Sequence, residues 1–460
     1  MTANNEGKRY SRRDVLKGAA TAGAVLALGP SLGGVADAAT RSQVRKRSES
    51  KLGGSITVFS DANPAGNAVQ VLLHEFQAET GVSVNYQLLS ETVILNKAAV
   101  ALAAGDGSVD VSWSSLTALP SWVSSGWLEP LNPYLADHRL VGRWYDAQDF
   151  VHKAYAALHL HGKQWGLPFL IGTKVMYFRK DILAKHHLAP PETIDDFMHV
   201  AEVVNSKHMP AVTLRGARGT NSNLWDFTSF YYADGARYFK NPPSNLTPET
   251  DTRAALTAME QYTTLFRKYS APSAVNNDFP QVLAAMANGQ AVMTIEGAPL
   301  ASTLFSPKTS KVPHRLGVGL VPAGPDGRYP GLDAQSWVLA KGSKNPEAAA
   351  AFIAWASSKE IQRKAALSGT DPGVTSVSVI DSPEFAKIYN YDGGRYVSMM
   401  RETVKQYIEP GFIPNTSAWP TVGSDFSIAL SNAISGQTSP RAALATATSE
   451  IKSYLAQNGA

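Results

Sequence analysis

The stretch from SITVFS to VSVNYQLL, residues 55–89, alternates strand and helix signals. SITVFS is β-rich and ends in the turn-forming DANPAGN. Apolar residues then recur at helical spacing, at Val69, Leu72, Leu73 and Phe76. Gly81 stops this helix, and VSVNYQLL is again β-rich. Two strands joined by a helix form a βαβ unit, which favours a parallel sheet with helices on its faces. This start predicts an α/β fold.

The same alternation continues through most of the 460 residues, a length that suggests two or three domain-sized units. Further strands are predicted at 109–113, 163–169, 174–180, 210–215, 291–295, 316–320 and 335–341. Helices are predicted at 94–104, 224–233, 253–269, 279–288, 346–357 and 441–456. Strands become rare after residue 341, so the C-terminal part is predicted to be mostly helical.

An export signal is indicated near the N-terminus by SRRDVLK, Ser11–Lys17. The Gly/Ala-rich stretch that follows is too weakly apolar for a spanning helix, and it ends at Ala36-Asp37-Ala38, an A-x-A site. The paired arginines resemble the twin-arginine signal, although Val15 stands where Phe is usual. We therefore predict a signal peptide over 1–39 and a flexible basic linker over 40–54. The alternative is a disordered basic tail.

Charge and cysteine content exclude several classes of function. Residues 1–51 carry a net charge of +6, so the remaining chain carries −2 and gives no basic surface for nucleic acid. The chain has no cysteine, which excludes disulfides, thiolate metal sites, a Cys nucleophile and a lipid anchor on Cys. We therefore predict a protein exported by the twin-arginine route, periplasmic or extracellular and not lipid-anchored.

Motifs for catalysis are missing from the mature chain. It contains no G-x-S-x-G elbow, no H-E-x-x-H, no P-loop and no G-x-G-x-x-G. Carboxylate pairs of the kind that cleave glycosides depend on proximity rather than spacing, so the sequence leaves them open. We predict a protein that is not an enzyme and needs neither a cofactor nor a metal.

Aromatic residues follow several predicted strands and loops. These are Trp113, Phe169, Trp225 and Trp419. Ligands bind beyond the carboxyl ends of strands in open α/β sheets. Aromatic faces there can stack on a sugar while polar groups hydrogen-bond its hydroxyls. The alternative for each aromatic residue is core packing.

The order of segments resembles the extracellular solute-binding proteins of ABC sugar importers, the maltose-binding-like group. The segments that carry the resemblance are GDGSVDVSW, SGWLEPLNPYL, GKQWGLPFLIGTKVMYFRKDIL, MANGQAVMTIEG and GVGLVPAGPDGRYPGLDAQSWVLAKGSKNPEAAAAFIAWASS, together with the βαβ unit. It covers nearly everything from Gly54 to the C-terminus. LRGARGTN, Leu214–Asn221, resembles the subgroup for sugars and sugar alcohols.

This resemblance implies a two-lobed periplasmic-binding-protein fold of type II, with discontinuous lobes joined by hinge strands. The implied crossings lie near Leu170–Thr173 and Val321–Ala323. The implied N-terminal lobe comprises 55–171 and 322–375, and the C-terminal lobe comprises 172–321 and 376–460.

Candidate ligand contacts come partly from the resemblance and partly from the placement of aromatic residues. They are Asp61, Asn63, Trp113, Ser115, Phe169, Arg215, Trp225, Glu296, Asp333, Gln335, Trp337 and Trp419. Asp333 and Gln335 replace a more usual Gly-Gly or Gly-Trp pattern, and Ala298-Pro299 stand where an aromatic platform is common. The alternatives are a turn or cap for Asp61, a salt bridge for Arg215 and core packing for Trp337.

The resemblance implies a monomeric binding protein that captures a carbohydrate (a sugar, oligosaccharide or sugar alcohol) and delivers it to the permease subunits of an ABC transporter. One alternative is a secreted carbohydrate-active enzyme. Another is a binding protein for a phosphorylated or acidic solute, since Arg215 and Arg218 flank one Gly-rich turn and could hold a phosphate.

Overall fold

The computed structural model describes residues 51–142, 145–369 and 373–458. The predicted signal peptide and residues 40–50 of the predicted linker lie outside the described residues. The predicted βαβ unit is present as strand Ser55–Asp61, helix Pro64–Thr80 and strand Ser83–Leu89, and its two strands are parallel. The first turn of this helix is capped by Asn63, whose side chain accepts a hydrogen bond from the Gly66 N–H.

Strands and helices are numbered separately along the described chain. The strands are β1 (Ser55–Asp61), β2 (Ser83–Leu89), β3 (Val111–Ser114), β4 (Leu128–Glu129), β5 (His159–Leu160), β6 (Lys163–Gln164), β7 (Gly166–Gly172), β8 (Lys174–Arg179), β9 (Phe239–Asn241), β10 (Asn245–Pro248), β11 (Met293–Gly297), β12 (Leu316–Gly319) and β13 (Asp333–Ala340).

The first helices are α1 (Pro64–Thr80), α2 (Glu91–Ala104), α3 (Leu119–Ser124), α4 (Asn132–Leu135), α5 (His152–Ala156), α6 (Lys180–Lys185), α7 (Ile194–Val204), α8 (Asn223–Ala233), α9 (Arg253–Tyr269) and α10 (Phe279–Ala287). The C-terminal ones are α11 (Ala301–Leu304), α12 (Pro346–Ala356), α13 (Lys359–Leu367), α14 (Val377–Ile380), α15 (Pro383–Ile388), α16 (Arg395–Glu402), α17 (Trp419–Ser435) and α18 (Pro440–Asn458). The tail after β13 is thus helical, as predicted.

A mixed sheet organises the first lobe. Its strands run in the order β2-β1-β3-β13-β4, and β7 also pairs with β13. β2, β1 and β3 are parallel, whereas β13 is antiparallel to its partners. Helix α12 packs on β13, where the Phe352 ring meets Trp337 and Phe76 edge-on at centroid distances of 5.8 and 5.4 Å. The sheet therefore has its own aromatic core.

A smaller antiparallel sheet, in the order β11-β8-β12, organises the second lobe. Helices α8, α9 and α17 pack together beside it, joined by ring contacts such as Phe227–Tyr262 and Tyr231–Phe426, at 5.3 and 5.8 Å. The chain passes from the larger sheet to the smaller one between Gly172 and Lys174 and returns between β12 and β13. The first passage lies within the predicted crossing at Leu170–Thr173, and the second, residues 320–332, includes the predicted crossing at Val321–Ala323. The boundaries predicted for the lobes stay predictions.

One predicted strand is wrong. Residues 210–215 form a loop in which Val212 makes a single bridge to Met293. The backbone N–H of Arg215 instead donates to Asp226 Oδ2 at 2.9 Å. Backbone hydrogen bonds to Val292 and Met293 reach only residues 210–213, and beyond them the side chain of Asp226 provides the acceptor.

Candidate ligand-binding site

A cavity of about 330 Å³ lies between the two sheets, where the chain crosses from one to the other. The larger sheet contributes residues that follow β1 and β2 and residues at the start of β13. The smaller sheet contributes the end of β11, and the rest of that wall comes from the loop before α8 and from the starts of α8 and α10. The lining includes Asp61, Asn63, Glu91, Thr173, Arg215, Asn221, Trp225, Phe279, Glu296, Pro299, Asp333 and Gln335.

A hydrogen-bonded amide array forms one wall. Asn63 Nδ2 donates to Asp61 Oδ2 at 3.0 Å and to Gln335 Oε1 at 2.9 Å, while Asn63 Oδ1 caps α1. Gln335 Oε1 also accepts a hydrogen bond from Trp113 Nε1 at 3.2 Å. Because each group is held by another, the wall presents its polar atoms in a fixed arrangement, which lowers the entropic cost of ligand binding.

Three carboxyl groups converge on the same side. Asp333 Oδ1 accepts a hydrogen bond from the Leu116 N–H at 2.9 Å. Burial, together with the charge of Glu91, raises the pKa of Asp333 to about 7 and that of Asp61 to about 7. Burial also raises the pKa of Glu91 itself. The charge of Arg215 and the hydrogen bond from Asn221 oppose this rise at Glu91. The oxygens of these carboxyl groups can accept hydrogen bonds from a ligand.

The guanidinium of Arg215 faces them from the second lobe, but it is already paired. Its Nε and Nη2 donate to the two oxygens of Glu296 at 2.5 and 2.7 Å, and its Nη1 donates to the Asn221 carbonyl at 2.7 Å. Arg218 points elsewhere, to Ser431 Oγ at 3.3 Å. The two arginines therefore do not form the phosphate-holding fork that the sequence left open.

Apolar groups complete the cavity. Trp225, which is 8% exposed, lines it together with Phe279 and Pro299. The Arg215 guanidinium lies over the Phe279 ring, 5.6 Å from its centroid. Pro299 stands where the resemblance placed an aromatic platform, so Trp225 and Phe279 are the aromatic side chains of the lining.

A hydrogen bond connects the two walls. Asn221, in the loop before α8, donates through Nδ2 to Glu91 Oε1 at the start of α2. Glu91 follows a strand of the larger sheet, whereas Asn221 belongs to the second lobe. This bond therefore holds the lobes together beside the cavity.

Of the predicted site residues, seven line the cavity: Asp61, Asn63, Arg215, Trp225, Glu296, Asp333 and Gln335. The other five lie in the protein interior. Trp337 and Phe169 stack on each other at 4.5 Å, and Trp113 pairs with Trp337 across β3 and β13. Trp337 lies two residues beyond Gln335 along β13, further from the cavity, and its ring packs on Phe352 of α12.

The remaining two interior residues have partners of their own. Ser115 Oγ lies 2.6 Å from Thr117 Oγ1. Trp419 begins α17 and packs on the Tyr238 ring at 4.8 Å. None of the five interior side chains lines the cavity. Trp113 supports the cavity wall by donating a hydrogen bond to Gln335.

Sequence reasoning missed several lining residues. Ser90 and Glu91 directly follow β2, so the rule that ligands bind beyond strand ends would have found them. Asn221 belonged to the LRGARGTN segment but was not singled out. Thr173, at the crossing, is fully buried, and its Oγ1 finds no hydrogen-bond partner within the described chain. Phe279 had no signal, because it is brought in by tertiary packing.

The described residues were also compared with what a metal site and a membrane-spanning helix require. Among residues 51–142, 145–369 and 373–458, no group of His, Asp and Glu side chains is arranged to hold a metal ion. No helix in these same ranges is long and apolar enough to cross a bilayer.

Two lobes with an intervening cavity lined from both sides define the fold of type II periplasmic binding proteins. The chain belongs to the bacterial extracellular solute-binding protein family, whose model matches residues 60–363. Residues 9–29 match the twin-arginine translocation signal, which confirms the prediction of export by that route.

Relatives of known specificity include binding proteins for sugar alcohols. The chain is 25% identical to the erythritol/L-threitol-binding protein of Mycolicibacterium smegmatis, over 72% of each chain. It is 24% identical to the mannitol-binding protein of Pseudomonas aeruginosa, over 82% of this chain and 88% of that protein. A crystal structure of an ABC transporter solute-binding protein from Agrobacterium vitis S4 with bound D-mannitol superposes with a TM-score of 0.76, at 26% identity, over 88% of this chain and 99% of that one.

Proposed function

We propose that this protein captures a small, neutral sugar alcohol between its lobes and presents it to the permease of an ABC transporter. The observation that carries this proposal is one cavity that is lined by three carboxyl groups and an aromatic wall. The guanidinium of Arg215 in the same cavity is already neutralised by Glu296. Carboxylates accept hydrogen bonds from hydroxyl groups, and Trp225 offers a face to the C–H groups of the carbon chain. The cavity of about 330 Å³ suits a ligand the size of a single sugar unit.

The relatives support this class of ligand. Two of them bind four-carbon or six-carbon sugar alcohols, and the A. vitis structure contains D-mannitol. Acyclic polyols carry a hydroxyl on every carbon and no charge, which matches a lining of acceptors without a free cation.

Capture would follow from contacts made to both lobes at once, because such contacts are complete only when the lobes are closed. We propose that the protein works as an exported monomer, carries no catalytic activity and needs no cofactor. The alternative of a carbohydrate-active enzyme predicts turnover, which the experiment below also measures.

The proposal can be tested with a matched pair of ligands. D-Glucitol and D-gluconate have the same carbon chain. One end of the chain is a hydroxymethyl group in D-glucitol and a carboxylate in D-gluconate. Thermal-shift and calorimetric titrations of the purified protein would use this pair together with erythritol, ribitol and D-mannitol.

We expect at least one neutral polyol to raise the melting temperature and to be recovered unchanged. At pH 8, D-gluconate should bind more weakly than D-glucitol, because its carboxylate meets the negative charges of Asp61 and Asp333. Stabilisation by D-gluconate or sugar phosphates alone would overturn the proposal. Consumption of a bound polyol would favour the enzyme.

A further inference from the structure

A lysine is completely buried behind the aromatic wall of the cavity. Lys174 begins β8, directly after the crossing between the sheets, and its side chain is inaccessible to solvent. Burying an ammonium group is costly, and an apolar side chain of similar volume usually stabilises such a position better. Stability therefore does not explain a lysine here.

The ammonium group is held between two rings. Lys174 Nζ lies 4.0 Å from the centroid of the Trp225 indole and 4.4 Å from that of the Phe412 ring. It also donates a hydrogen bond to the Trp225 carbonyl. Cation–π contacts are strongest where the cation is desolvated, as it is at this position. One side chain thus contacts both the ring and the backbone of Trp225.

Packing leaves the indole little freedom. The Phe412 ring meets Trp225 edge-on at 5.3 Å. Gly331, with φ of +80°, is so close that a Cβ at this position would lie 3.0 Å from the indole and 3.1 Å from Phe412. Lys174, Phe412 and Gly331 cover much of the indole, and the part that stays accessible lines the cavity.

Acidic groups balance the buried cation. Asp226 and Glu296 both act on Lys174 electrostatically. Burial, together with the charge of Arg215, lowers the pKa of Lys174 to about 7, whereas Asp226 and Glu296 oppose that fall. Glu296 also lines the cavity and pairs with Arg215, so the lysine belongs to the charge network directly behind the ligand.

We propose that Lys174 is a positioning residue for ligand binding, which acts by fixing the Trp225 indole as the aromatic wall of the cavity. This inference rests on the proposed function, in which Trp225 contacts the ligand. It predicts that removing the ammonium weakens binding only while the indole is present.

A double-mutant cycle tests the inference. Dissociation constants for D-mannitol, ribitol and erythritol would be measured under identical conditions for the native protein, Lys174→Met, Trp225→Ala and the double variant. We expect Lys174→Met to weaken binding by about 3- to 30-fold, the range for a buried cation–π contact. The double variant should bind no more weakly than Trp225→Ala alone.

Two further variants separate positioning from folding. Lys97→Met is the matched control, because Lys97 Nζ also lies over an aromatic ring, that of Phe59, at 4.6 Å from its centroid, and neither residue lines the cavity. It should leave the dissociation constants unchanged. Lys174→Arg keeps a cation and should bind more tightly than Lys174→Met. If Lys174→Met does not fold, two measurements replace it. One compares Lys174→Arg with the native protein. The other is a double-mutant cycle in which Phe412→Leu takes the place of Lys174→Met.

The outcomes distinguish this inference from the proposed function. If Trp225→Ala leaves binding unchanged, the ligand contact in the proposed function is wrong. If Trp225→Ala weakens binding but Lys174→Met lowers only the free energy of unfolding, Lys174 is merely structural and the inference fails. Additive losses in the double variant would also overturn it, because they would mean that the two side chains act independently.

Discussion

Replacing Asp333 by asparagine should stabilise the ligand-free protein at pH 8 and weaken ligand binding. Asp333 Oδ1 accepts the Leu116 N–H at 2.9 Å, and an asparagine Oδ1 can accept the same bond. The substitution therefore keeps the local geometry and removes the negative charge. Burial, with added repulsion from Glu91 and Asp61, raises the pKa of this carboxyl from 3.8 to about 7.

The sign of the effect on stability follows from this pKa. The folded state retains the proton up to about pH 7, whereas the unfolded chain releases it near pH 3.8. The carboxyl thus contributes stability that is fully present below pH 3.8 and is lost as the pH rises through 7. A pKa difference of about 3 corresponds to a loss of about 4 kcal/mol. Asparagine has no proton to release, so Asp333→Asn should escape most of this loss.

Urea unfolding followed by circular dichroism at pH 4 and pH 8 measures the free energy of unfolding, and calorimetry at pH 8 measures polyol binding. We expect Asp333→Asn to bind about 10- to 100-fold more weakly, because a hydrogen bond to a charged acceptor is lost. Asp106→Asn, at an exposed aspartate, is the control and should leave binding unchanged. A variant less stable than native protein at pH 8, but equally stable at pH 4, would refute the reasoning.

Two further substitutions probe the opposite wall. Arg215→Met leaves Glu296 buried without its partner and should lower the free energy of unfolding by about 3–5 kcal/mol in urea, whereas Arg218→Met at the surface should change it by less than about 0.5 kcal/mol. An equal effect of both would contradict the pairing. Asn221→Ala removes the hydrogen bond to Glu91 between the lobes, so ligand dissociation in stopped-flow measurements should be about 2- to 10-fold faster; an unchanged rate would mean that this bond does not limit opening.

The sequence patterns predicted the α/β fold because they are local. The βαβ unit needs only apolar spacing, a cap at Asn63 and a stop at Gly81, whose φ is +71°. Asp61 and Asp333, by contrast, were indicated by the family resemblance rather than by a local pattern. The antiparallel insertion of β13 between β3 and β4 was not predicted, because pairing between residues more than 200 positions apart leaves no periodic signal.

Side-chain direction was harder to predict than strand position. Gln335 and Trp337 lie on the same strand with the same alternation, yet Gln335 reaches the cavity and Trp337 lies beneath α12. Gln335 lies closer to the start of β13 than Trp337 does. Tertiary packing decides how much of that start faces the cavity. Arg215 and Glu296 are 81 residues apart, so no spacing rule could pair them. Lys174 was the first residue of a predicted strand, a position where a lysine is normally exposed.

Three ionisable groups share one property, which is burial near the cavity at a cost to stability. Asp61 and Asp333 have pKa values raised to about 7, and that of Lys174 is lowered to about 7. In each case the burial of a charged form is the main cause. A protein selected for stability alone would replace such groups by apolar ones. A polyol that donates hydrogen bonds to the two carboxyls favours their charged forms, and it binds only the folded protein. Binding therefore offsets part of the cost that these groups impose on the empty site.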